Sequence, residues 1–166
     1  MAKKYFFIFL TFLLVSFYCL AHAIELSKDS LAGIRPGDSV QAVIKKYGQP
    51  ESKTDWEDDY TEDGGDRFRQ YEYPSRGLTF EIAKKGKIQY VAFIWAEGES
   101  KARTSKNIGI GSSMDDVIKA YGKPDLECDG YVYYDPKKEN LQLMFSFDNE
   151  KVSLIRLGYT SEECQG

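Results

Sequence analysis

A chain of 166 residues, 42% of them apolar and 14% aromatic, is long enough to bury a real core and to form one ordinary domain or two small fused ones. Its formal net charge of −4, without a basic stripe, argues against nucleic acid and anionic membrane surfaces as partners. His22 is the only histidine, so Ser-His, Cys-His and His-ligated metal chemistry have almost nothing to work with.

The chain opens with Lys3 and Lys4, an apolar run from Tyr5 to Leu20, and the small-x-small sequence Ala21-His22-Ala23. This pattern predicts a secretory signal peptide over residues 1–23, cleaved before Ile24; the run is short for a membrane span of about 20 residues. Cys19 follows Phe17-Tyr18 rather than the small residues that acylation needs, which argues against a lipid anchor. Removal of 23 residues from 166 leaves 143, and two of the 22 basic residues go with them, so 20 face 26 acidic ones for a net charge of −6. The expected location is periplasmic or secreted.

An internal repeat organises the rest. Ile34 to Pro50 aligns without gaps with Ile108 to Pro124, 74 residues later, as duplicated supersecondary units do. Each copy reads as a helix: Asp38 or Ser112 as N-cap, Gln41 or Asp115 three residues on, Gly48 or Gly122 as the stop, and Pro50 or Pro124 beyond it. Val40, Val43, Ile44 and Tyr47, and Met114, Val117, Ile118 and Tyr121, form one apolar stripe per helix. Both tyrosines read as core.

After each helix the period changes to two. Strands are expected near Arg67 to Tyr73, Leu78 to Ala83 and Ile88 to Trp95, then Tyr131 to Tyr134, Leu141 to Phe147 and Val152 to Tyr159. The predicted fold class is therefore α+β: two tandem repeats, each a helical segment plus a helix packed on one face of a three-stranded antiparallel sheet. The first repeat occupies 24–96, a polar linker 97–106, and the second repeat 107–166.

The acidic stretch Asp55 to Asp66 has no counterpart in the second copy. Calcium binding with EF-hand spacing fails because Gln70 stands where the bidentate Glu belongs, so the segment reads as a solvated loop in which Trp56 and Tyr60 could touch a partner. In an oxidising compartment Cys128 and Cys164 pair by default, closing a loop worth about 4 kcal/mol in the chain-entropy estimate. A metal or redox pair is disfavoured by their separation and the lack of a CxxC.

Strand alternation assigns faces. Val91, Phe93, Ile155, Leu157, Leu78, Phe80, Ile82, Leu141, Leu143, Phe145 and Phe147 are expected in the core. Thr79, Glu81, Tyr90, Ala92, Ile94, Gln142, Met144, Ser146, Leu154 and Arg156 fall on the opposite face, where Tyr90, Ile94, Met144, Leu154 and Arg156 make a protein-binding patch. Packing of these residues against the linker or the other repeat is an equal alternative.

The repeated residues Ile34, Gly37, Ser39, Val43, Tyr47, Gly48 and Pro50, matched by Ile108, Gly111, Ser113, Val117, Tyr121, Gly122 and Pro124, resemble the BamE (SmpA/OmlA) domain. The tandem arrangement is similar to the β-lactamase inhibitor protein fold. The resemblance implies a helix-loop-helix on one face of an antiparallel sheet whose other, concave face engages a protein. The chain departs from BamE in its two copies and lack of a lipidation cysteine, and from the inhibitor in its single candidate disulfide. The functional expectation is an exported, non-catalytic protein-binding module that inhibits an extracytoplasmic enzyme. The alternative is a cell-envelope or outer-membrane assembly accessory, with a carboxylate-dependent hydrolase ranked behind both. No catalytic residue, metal or cofactor is expected.

Overall fold

The computed structural model describes residues 25–58, 67–128, 130–134 and 140–160. The predicted signal peptide, Tyr60 and Cys164 lie outside the described residues. A 3₁₀ turn at Leu26–Lys28 precedes helix α1 (Val40–Tyr47). Strands β1 (Ser52–Lys53), β2 (Glu57–Asp58), β3 (Arg67–Tyr73), β4 (Leu78–Lys85) and β5 (Ile88–Glu97) follow, with a second 3₁₀ turn at Pro74–Arg76. Helix α2 (Met114–Tyr121) then leads to β6 (Leu126–Cys128), β7 (Tyr131–Tyr134), β8 (Leu141–Asp148) and β9 (Lys151–Tyr159).

These strands make one antiparallel sheet in the order β1-β3-β4-β5-β9-β8-β7-β6, with β2 also on β3. The expected α+β class, with a separate three-stranded sheet in each repeat, is corrected: strands dominate, and only two eight-residue α-helices occur among the described residues. The physical reason lies at the seam. Each meander ends in a strand with an open edge, and pairing Phe93–Glu97 of β5 with Leu154–Gly158 of β9 closes both. The short strands β1, β2 and β6, which the pattern of alternation is too brief to reveal, lengthen the sheet outward.

The helices start one residue later than their sequence suggests. Ser39 and Ser113 are the N-caps, accepting from the backbone N–H groups of Ala42 and Asp116. Asp38 and Ser112 cap the turns just before, accepting from the N–H groups of Arg35 and Gly109. Ser113 and Asp116 close a reciprocal capping box, and these hydrogen bonds hold the Asp116 carboxyl below its usual range. Gly48 and Gly122 end the helices at φ of 83° and 84°, a region open to glycine.

The two halves repeat the same core contacts. Tyr47, Tyr73 and Phe80 pack ring to ring, as do Tyr121, Tyr134 and Phe145. The Tyr73 hydroxyl donates to the Gly48 carbonyl and the Tyr134 hydroxyl to the Gly122 carbonyl, each at 2.9 Å. Each helix stop is thereby tied to the sheet. The expected stripes pack on the core except Ile118, which is 42% exposed.

Burial raises the pKa values of Tyr47, Tyr73, Tyr121 and Tyr134, the last to about 12, where Asp125 and Glu127 add to the effect. Folding thus favours the neutral phenols. With folded values above the unfolded one near 10, their contribution is intact below pH 10 and is lost as pH climbs through the folded values. Denaturation titrations should show stability flat from pH 8 to 9.5 and falling steeply between about pH 10 and 12.

The loops before the two helices also clasp each other. Ala32 donates its N–H to the Arg103 carbonyl and Ser105 to the Ser30 carbonyl, both within 3.0 Å. Beneath them Asp29, 3% exposed, accepts from the Tyr121 hydroxyl at 2.6 Å and from the N–H groups of Ser30 and Ser105. A carboxylate of the first half therefore holds the second half's helix, and the segment read as a polar linker runs into this clasp.

Candidate functional site

The described residues place no helix against the sheet face opposite α1 and α2, and this face carries the candidate site. Its register is read across the seam. Thr79, Trp95, Arg156, Met144 and Tyr133 lie side by side on β4, β5, β9, β8 and β7. Glu81, Phe93, Gly158 and Gln142 make the next row, and Glu97, Leu154 and Ser146 another.

Of the expected patch, Met144, Leu154 and Arg156 are on this face. Met144 and Arg156 are nearly buried, at 5% and 7% exposure, and Leu154 is half-buried. Ile94 is not on it: the residue is fully buried in the core against the helices. The cause is a bulge. Glu81 pairs with Phe93 but Ile82 with Val91, so Ala92 is an extra residue and the alternation reverses there. Phe93, expected in the core, therefore emerges on the helix-distal face, and Trp95 with it. A matching bulge leaves Ser153 unpaired in β9. Tyr90 is half-buried with its ring edge-on to Tyr159, and its backbone bridges to Ser39.

The cluster that sequence alternation missed is built from several supports. The Phe93 and Trp95 rings lie 5.5 Å apart, and the Arg156 guanidinium sits 5.1 Å over the Phe93 ring. Arg156 also donates to Gln142 Oε1 at 3.2 Å. Gly158 lies beneath the Phe93 ring, whose Cγ would be 2.6 Å from any added Cβ. Such a constellation, two large rings and a braced Arg with partial exposure, matches the composition of interface anchors. The signal available in the sequence was Gly158 itself, a glycine inside a strand, which marks close approach of another group.

Trp56 lies apart from this cluster. It precedes β2 and packs at the margin of the core, with Arg69 4.6 Å and Lys84 5.6 Å from its ring. The segment expected to be a solvated loop thus contains a strand, since Glu57 and Asp58 pair with Phe68 and Arg67. Cys128 is disulfide-bonded.

An open cleft of about 740 Å³ between Pro74–Gly77 and Glu97–Glu99 adjoins another of about 660 Å³ reaching Tyr47 and Arg103. Their linings mix carboxylates with Arg76, Lys101 and Arg103, and neither contains histidine or cysteine. Among the described residues no group of three or more His, Cys, Asp or Glu side chains could hold a metal ion, and no helix is long and apolar enough to cross a membrane. Comparison with protein-family models, curated proteins and solved structures finds no match for this chain.

Proposed function

We propose that this chain is an exported, non-catalytic module that binds another protein through the helix-distal face across the β5–β9 seam, and that it acts as an inhibitor of an extracytoplasmic enzyme. The observation that supports this reading most is the Phe93–Trp95–Arg156 cluster, held at the middle of the sheet by Gly158 and Gln142. Rigid aromatic anchors carry binding energy at little entropic cost, and strand residues are held more precisely than loop residues. Export is supported by the pattern of Lys3, Lys4, the apolar run and Ala21-His22-Ala23, and the module type by the repeated BamE-like residues.

The test is crosslinking capture from envelope and culture-medium fractions with the protein and with a Trp95→Ala/Leu154→Asp variant. Both positions are half-buried and pair with other strands through the backbone, so the sheet should survive. Truncating a central Trp anchor costs about 2 kcal/mol or more, roughly a 30-fold loss of affinity. The expected result is a partner enzyme whose activity falls to zero at a stoichiometric ratio and which the variant no longer captures. Co-purification with outer-membrane complexes instead would assign the same face to envelope assembly. Equal capture by both proteins would remove this face from consideration.

A further inference from the structure

The helix-distal face is closed where an open sheet should be most exposed. Phe93 and Trp95 stand on β5, at the middle of the sheet, and are half-buried. Tyr133 stands on β7, with only β6 beyond it, and is 3% exposed. Its neighbours Met144 and Gln142 are 5% and 7% exposed. Both helices pack on the other face, against the core. Side chains near the margin of an uncovered sheet keep more contact with water than those at its centre. The reversed order here means that the second half of the face has a cover.

Cys128 points to what that cover is. Cys128 pairs with Tyr131, Tyr131 with Ser146 and Ser146 with Leu154, so its side chain lies on this same face. It is disulfide-bonded, and of the three cysteines Cys19 belongs to the predicted signal peptide, which leaves Cys164 as its partner in the exported protein. Cys164 comes five residues after Tyr159, the last residue of β9. Tyr159 pairs with Leu141, so the two anchor points are three strands and five residue steps apart, a diagonal of about 22 Å. Five extended residues reach about 17 Å, and a disulfide adds about 6 Å between its Cα atoms. With no slack to spare, the course is the diagonal itself, which crosses β8 at Gln142 and β7 at Tyr133.

We infer that residues 161–166, tied by a Cys128–Cys164 disulfide, form a strap across the second half of the helix-distal face, covering Tyr133, Met144 and Gln142 and leaving Phe93, Trp95 and Leu154 as the open part. Glu162 and Glu163 of the strap bring negative charge toward Arg156, which braces Gln142. The covalent tie keeps the segment at a high effective concentration over the face, so the strap holds its place without strong contacts of its own. As a device that shuts half of the partner site, the strap rests on the reading of the β5–β9 face given above; its position does not.

Met114 and Met144 are the two methionines after the predicted signal peptide, and Met114, on α2, packs on the helix side, so the pair reports the two faces separately. The experiment is methyl NMR of the exported protein carrying ¹³C in its methionine methyl groups, with a soluble gadolinium chelate added to broaden exposed signals. Dithiothreitol converts the S–S bond into two thiols as it closes into its own cyclic disulfide. This reduction, and separately Cys164→Ser, are expected to move the Met144 signal and open it to broadening, with Met114 unchanged. A chain ended at Thr160 should show the same Met144 signal. A Met144 signal that stays in place and sharp in all three, or disulfide mapping that joins Cys128 to any cysteine but Cys164, overturns the strap. No partner takes part, so failure of the β5–β9 reading would leave the Met144 result standing, and an unmoved Met144 signal would leave that reading standing.

Discussion

Asp29→Ala is expected to lower the free energy of unfolding by about 2–4 kcal/mol, measured by urea denaturation. The carboxylate gathers three donors in a place with 3% exposure, and two of them, the Tyr121 hydroxyl and the Ser105 N–H, come from the other half of the chain. Deleting it takes the acceptor from the Tyr121 hydroxyl and the Ser30 N–H, each at about 1–3 kcal/mol before relaxation, whereas the Ser105 N–H keeps the Ser30 carbonyl. Tyr121→Phe removes one 2.6 Å bond and leaves the carboxylate short of a donor, for an expected loss of about 1.5–3 kcal/mol. Because both changes break the same contact, the double variant should cost clearly less than their sum. Additive losses, or an Asp29→Ala cost below about 1 kcal/mol, would show that the clasp does not join the halves energetically.

Gly158→Ala is expected to cost about 2–4 kcal/mol and to abolish partner binding together with stability. The added methyl would meet the Phe93 ring and lie 2.7 Å from the Ala92 carbonyl oxygen. The ring can swing aside, but the carbonyl belongs to the bulge, so the backbone of the seam must shift too. Phe93→Ala in the same chain removes the ring and should recover part of the stability but none of the binding. That split separates the packing role of Gly158 from the recognition role of the ring it supports. A Gly158→Ala protein with native melting temperature and unaltered capture would sink the account.

Much of the fold is legible without coordinates because it is local. The helices sit where Ser39 and Ser113, Gly48 and Gly122 bracket the apolar stripes, and the six predicted strands lie within a few residues of their expected bounds. The caps were displaced by one residue because Asp38 and Ser112 are themselves good capping residues, used here on the preceding turns. Face assignment succeeded for β4, β8 and the end of β9, where alternation is unbroken. It failed at Phe93 and Ile94, because a bulge at Ala92 carries no residue-type signature strong enough to announce itself.

By itself, then, the amino-acid sequence determined the repeated helix, its stops, the strand segments and the apolar faces, all of which depend on neighbours within a few residues. Only the tertiary structure decided that the halves share one sheet, that Asp29 holds Tyr121 ninety-two residues away, and that Phe93 and Trp95 stand beside Arg156. These depend on which open edge finds which and on one extra residue in a strand. Neither is written in a local pattern, since any antiparallel edge can pair with another and a single insertion reverses every side chain beyond it.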